Sequence, residues 1–133
     1  MRSPATVWTS ITWRSSVVSG PGTLVNLTFS GTAIVGGSLP DGNYRLVVNG
    51  SAITDPLGAG VDADGNGTAG GPGTFSFHRL YGDADGNGTV NTADFLAFRL
   101  AFLSPNPAFD FDGSGSVDTS DFLAFRLRFL QSI

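Results

Sequence analysis

DADGNGTVNTAD, at residues 83–94, is the stretch that decides the fold. It returns 27 residues later as DFDGSGSVDTSD, at residues 110–121. Each copy runs into nearly the same nonapeptide, FLAFRLAFL at 95–103 and FLAFRLRFL at 122–130. An acidic, glycine-bearing loop that opens a short apolar helix, present twice, points to a divalent cation. Calcium is a hard ion that takes six to eight oxygens, and a twelve-residue EF-hand loop supplies them from positions 1, 3, 5, 7, 9 and 12, with glycine at 6 for the turn.

In the first loop those positions are Asp83, Asp85, Asn87, Thr89 through its carbonyl, Asn91 and Asp94, with Gly88 at the turn. In the second they are Asp110, Asp112, Ser114, Ser116 through its carbonyl, Asp118 and Asp121, with Gly115 at the turn. Position 12 is Asp where EF-hands use Glu, so each loop must close more tightly to reach an ion with both oxygens. Position 8 is apolar in both, Val90 and Val117, which suits a short strand-like contact between the loops. The plainer reading is an Asx-rich turn that caps a helix, since Asp, Asn and Gly are common at turns and N-caps. Two loops with the same six positions filled, each entering a copy of the same helix, favour two calcium sites.

Paired loops of this pattern, each followed by one short helix and lacking the helix that enters a full EF-hand, resemble a type I dockerin. The resemblance covers about residues 82–133. It implies a partner, since dockerins dock a cohesin module on a scaffold or surface protein, often delivering polysaccharide-degrading enzymes. It places partner-binding residues at loop positions 10 and 11, here Thr92 and Ala93, then Thr119 and Ser120. Further along each helix, Arg99-Leu100 and Arg126-Leu127 stand where cellulosomal members often carry Lys-Arg, and the chain has no Lys.

The two nonapeptides are apolar over a wide face. At 100° per residue, Phe95, Phe98 and Phe102 form one stripe, and Leu96, Leu100 and Leu103 another, with Ala97 and Ala101 facing away. Phe122, Phe125 and Phe129 with Leu123, Leu127 and Leu130 repeat the arrangement. Two short helices bury one stripe each against one another. The second stripe needs another surface, either the chain's own β-domain or a separate protein. Arg99 and Arg126 fall between the stripes, where their stems lie along apolar surface or their heads pair with a carboxylate.

Before the repeats the chain reads as β-structure. Val7, Thr9, Ile11 and Trp13 alternate with Trp8, Ser10 and Thr12, and a second alternating run lies at 23–31. Residues 43–50 place Tyr44, Leu46 and Val48 on one face, after a turn at 38–42. A short segment at 52–54 and a last strand at 74–77 complete the set. Short strands with turn signals at about 8–12 residues suggest a β-sandwich. The stretch LPDGNYRLVVNGSAITDPLG resembles the later strands of a bacterial Ig-like repeat, as in surface and S-layer proteins. Its direct link through FHRLYGD to the loop pair resembles the C-terminal ends of large planctomycete surface proteins. The expected fold is therefore mixed: an all-β Ig-like sandwich at 1–78, then a small α dockerin-like pair of half EF-hands at 79–133.

Between them, Asp62, Asp64, Asn66 and Gly67 reproduce positions 1, 3, 5 and 6 of the calcium loop. Position 12 would be Gly73, and no helix pattern follows. This stretch is either an Asp/Gly-rich β-turn or a partial third metal site.

All eleven acids are Asp, and seven of them lie from Asp83 onward against three Arg. The formal charge of −4 thus sits in the repeats, where two calcium ions would offset it. Without a basic patch, nucleic acid is not expected as a partner. No apolar run reaches 18 residues, so no membrane insertion is expected. There is no Cys or Glu and one His, His78, which stands alone after a strand, so no catalytic site is expected. Calcium loops of this kind fill reliably outside the cell. The expectation is the C-terminal piece of a larger secreted or cell-surface protein: a binding module docking a cohesin-like partner, or a structural cap packed on its own β-domain. In either case the parent chain could be a polysaccharide-degrading enzyme.

Overall fold

The structure is a computed structural model that describes the backbone of residues 12–17 and 23–133 and the side-chain surroundings of residues 27–133. Among the described residues it shows a small mixed α/β arrangement: four strands, paired two by two, and two helices. The chain divides into two compact units, Met1–Pro40 with Leu80–Ser132, and Asp41–Arg79 with Ile133.

In the first unit, β1 (Thr12–Val17) pairs antiparallel with β2 (Thr23–Thr28), in a register that sets Thr12 opposite Thr28 and Val17 opposite Thr23. The alternation read at residues 7–11 lies outside the described residues. The unit also holds the turns of residues 29–40 and the repeat pair. Helix α1 is Thr92–Ala101 and α2 is Thr119–Arg126. Both begin three residues before the nonapeptides, because positions 9 to 12 of each loop already form the helix start.

The core of this unit is aromatic. Phe98 and Phe125 lie 5.0 Å apart between ring centroids, Phe109 and Phe122 close around Phe98 at 5.4 and 6.0 Å, and the exposed Phe102 lies 6.2 Å from it at the rim. Leu80, Tyr81, Val90, Ala101, Val117 and Ala124 complete it. The Tyr81 hydroxyl donates to the Phe109 carbonyl at 2.6 Å, so this buried ring also satisfies its polar end. Helices of eight to ten residues are marginal alone; here the loops before them and this ring cluster hold them.

The helix faces differ from the expected ones. Ala101 and Ala124 point into the core and Ala97 packs against it, while the leucines face outward: Leu100 is 88 % exposed, Leu103 79 % and Leu127 73 %. Large rings fill the interior, and only a small side chain fits beside them where the helices approach. The contact expected between Val90 and Val117 is also replaced. Val90 exchanges two backbone bonds with the chain after α2, and Val117 with the chain after α1.

The second unit is a ladder of β3 (Gly42–Asn49) and β4 (Pro72–Arg79), antiparallel, with Tyr44 opposite Phe77 and Leu46 opposite Phe75. Those four residues share one face, and the Tyr44 and Phe77 rings stack at 5.5 Å. Asp41 and Arg79 pair at 3.3 Å at the ladder's end. Of the short segment read at 52–54, Ala52 ends a 3₁₀ turn, Gly50–Ala52, and Thr54 makes an isolated β-bridge to Gly60. The described residues show two separate two-stranded ladders, and an Ig-like sandwich is not among them.

Candidate metal centres

Each loop is built by its own backbone amides turning toward its carboxylates. In the first, Asp83 accepts from Asn87 at 3.0 Å and from Gly88 at 2.9 Å, and Asp85 accepts from Asn87 at 3.1 Å. In the second, Asp110 accepts from Ser114 at 2.9 Å and from Gly115 at 2.8 Å, and Asp112 from Ser114 at 3.0 Å. The turn needs glycine at two positions: position 6, where φ is +82° and +97°, and position 4, where Gly86 and Gly113 both have φ +73°. A Cβ is disfavoured there.

The last loop residue fastens the two ends. Asp94 Oδ1 accepts from the Ala84 amide at 2.9 Å and Oδ2 from the Asn91 amide at 2.8 Å. Asp121 does the same with Phe111 at 2.7 Å and Asp118 at 2.7 Å. Asn91 and Asp118 accept in turn from Ala93 and Ser120, so positions 9 and 12 form a capping box. That pairing was legible as Asn91-x-x-Asp94 and Asp118-x-x-Asp121. The amides at loop position 2 carried no sequence signal.

This geometry gathers Asp83, Asp85 and Asp94 so that one oxygen of each lies within 4.8 Å of the others, and Asp110, Asp112 and Asp121 likewise. Asp94 and Asp121 are 1 % and 0 % exposed. Carboxylates 4.8 Å apart repel by on the order of 3 kcal/mol per pair at an effective dielectric of about 20. The backbone amides offset part of that cost. A cation would offset the rest, and a hard one suits an all-oxygen donor set. Asn87 lies beside this triad, bonded to Asp85 at 2.8 Å, and Ser114 Oγ lies 3.1 Å from the Ser116 carbonyl. The carboxylates present therefore fit a calcium ion in each loop.

The Asp62 stretch copies the first half of this design. Asp62 accepts from Gly65, Asn66 and Gly67 at 2.8 to 3.1 Å, Asn66 bonds Asp64 at 2.9 Å, and Gly65 and Gly67 have φ of +74° and +84°. Its carboxyl is held below the ordinary value, chiefly by the Gly67 amide. Asp62 and Asp64 are exposed, and no third acid joins them among the described residues. The chain returns to β4 where position 12 would be, at Gly73.

All six residues expected at the partner face, Thr92, Ala93, Arg99, Thr119, Ser120 and Arg126, are exposed. Among the described residues neither Arg99 nor Arg126 makes an ion pair. A shallow groove of about 260 Å³ is lined by Phe95, Phe122, Phe125, Arg126 and Phe129. The leucines of both nonapeptides, Leu96, Leu100, Leu103, Leu123, Leu127 and Leu130, are exposed as well. No helix is long and apolar enough to cross a membrane among the described residues.

No family model matches this chain. No curated protein matches it either. Among solved structures it is similar to a type II cohesin-dockerin domain from Bacteroides cellolosolvens, at 25% identity, covering 42% of this chain and 93% of that one, with a TM-score of 0.39.

Proposed function

We propose that residues 79–133 form a calcium-binding, dockerin-like module that docks a cohesin-like partner outside the cell, and that the chain acts by binding and not by catalysis. The observation that carries this reading is the duplicated triad, Asp83, Asp85 and Asp94 and then Asp110, Asp112 and Asp121, each ending in a carboxylate buried at a helix start. Calcium would supply the positive charge that lets three carboxylates converge. The protein's own residues do the rest: they hold two helix starts in one geometry and present the Thr92, Thr119, leucine and arginine surface. Residues 1–78 are read as the Ig-like portion preceding that module in a larger secreted or surface protein.

A second reading, a structural cap, has its own support. A Cβ on Gly36 would meet the Phe111 carbonyl at 2.5 Å and the Gly113 amide at 3.0 Å, so chain preceding the repeats already lies against the second loop. Calorimetric calcium titration of the chelator-stripped protein tests the shared premise, with two ions per chain expected. Binding to a panel of cohesin modules, with calcium and with chelator, then separates the readings. Capture only with calcium supports docking. Two bound ions and no capture leave the cap.

A further inference from the structure

We propose that Leu103 with Ser104, and Leu130 with Gln131, are positioning residues for the two metal centres, and that the centres fill as a coupled pair. The proposal rests on the calcium reading above and adds to it a route between the sites. Val90 stands between Thr89 and Asn91, two of the ligand positions of the first loop. Its amide donates to the Gln131 carbonyl at 2.9 Å, and its carbonyl accepts from the Leu130 amide at 2.8 Å. Thr89 continues the pairing with Ser132. The second loop is held the same way from the other repeat. The Val117 amide donates to Ser104 at 2.9 Å, and its carbonyl accepts from Leu103 at 2.8 Å.

The circuit closes on itself. Asp94 fixes the start of α1, the chain after α1 fixes Val117, and Val117 sits between ligand positions Ser116 and Asp118. Asp121 fixes the start of α2, and the chain after α2 fixes Val90. Both valines are 0 % exposed, so their backbone bonds have no water to exchange with. Leu103 and Leu130 both hold a left-handed backbone, φ +63° and +66°, a conformation that side chains disfavour. The same disfavoured angle at the same place in both repeats fits a constraint imposed by the cross-repeat bonds. Ordering one loop therefore orders part of the other, which is positive coupling.

The test follows each loop separately in the full chain by the NMR amide signals of Gly88 and Gly115 during calcium chloride titration. In the unaltered chain both signals are expected to move together, with a transition steeper than single-site binding. Asp110→Ala disables the second loop and is expected to raise the Gly88 midpoint by about tenfold or more. Deleting residues 130–133, which leaves every ligand in place, is expected to raise the Gly88 midpoint comparably and to abolish the steepness. The retained aromatic core signals of the deletion variant in calcium report that it still folds. A Gly88 midpoint unmoved by both changes, or two independent midpoints in the unaltered chain, overturns the coupling while leaving the calcium reading intact. No response of either signal at millimolar calcium overturns the calcium reading itself, and the coupling with it.

Discussion

The Asp94 Oδ2 oxygen accepts the Asn91 amide at 2.8 Å, so the residue that closes the first loop also caps the helix behind it. Asp121 stands in the same relation to Asp118 at 2.7 Å. On the proposed calcium reading, metal affinity and helix stability act through the same carboxylate, and substitution separates them.

Asp94→Asn keeps an oxygen for one amide and removes one of three converging charges. In chelator the variant is expected to be as stable as the parent or more so, because like-charge repulsion falls. In saturating calcium it is expected to be the less stable of the two. A calcium site at 100 times its Kd contributes about 2.7 kcal/mol, which sets the scale of the reversal. Urea melts in both conditions check this, and the same order in both would exclude the reading.

Phe98 lies against four other phenylalanine rings and is 2 % exposed, whereas Leu100, two residues on, is 88 % exposed. Phe98→Ala is expected to cost about 3–5 kcal/mol. Leu100→Ala should stay within about 0.5 kcal/mol. If the leucine face is a docking surface, that quiet substitution should still weaken partner capture, which stability measurements would not register.

Leu103 and Leu130 have φ of +63° and +66°. A left-handed backbone costs a side chain roughly 1–2 kcal/mol, and glycine escapes it at a cost of about 0.5–1 kcal/mol in unfolded-chain entropy. Leu103→Gly is therefore expected to leave stability unchanged or raise it by up to about 1.5 kcal/mol. Leu103→Val, with a branched Cβ, should lower it. Thermal melts of the pair read the sign directly.

Asp62 accepts three backbone amides, that of Gly67 foremost, and its carboxyl lies below its ordinary value of 3.8. A depressed pKa in the folded loop means the interaction is present above the ordinary carboxylate range and is lost as pH falls through the folded value. Carboxyl NMR should place the Asp62 midpoint below 3.8, with the Gly67 amide signal moving at the same pH. A midpoint at or above 3.8 would mean the loop does not hold this geometry in solution.

The repeat pair was legible because its chemistry is local. Each twelve-residue loop brings its carboxylates together through turns that its own glycines permit, Gly86 and Gly88 in the first and Gly113 and Gly115 in the second, and Asn91-x-x-Asp94 announces the helix start. Alternation likewise marked strands at 23–31 and 43–50, which the structure places at 23–28 and 42–49, whereas the last strand, read at 74–77, runs from 72 to 79. Only the folded chain decided which apolar stripe turned inward. Phe and Leu are both apolar at helical spacing, and the choice fell to rings that interlock around Phe98 and Phe125 while Ala101 and Ala124 fill the tight places. Nor could spacing show that Val90 answers to Gln131 and Val117 to Ser104. Backbone bonds between residues 41 and 13 positions apart leave no mark on side-chain identity, and they form only once both helices are packed.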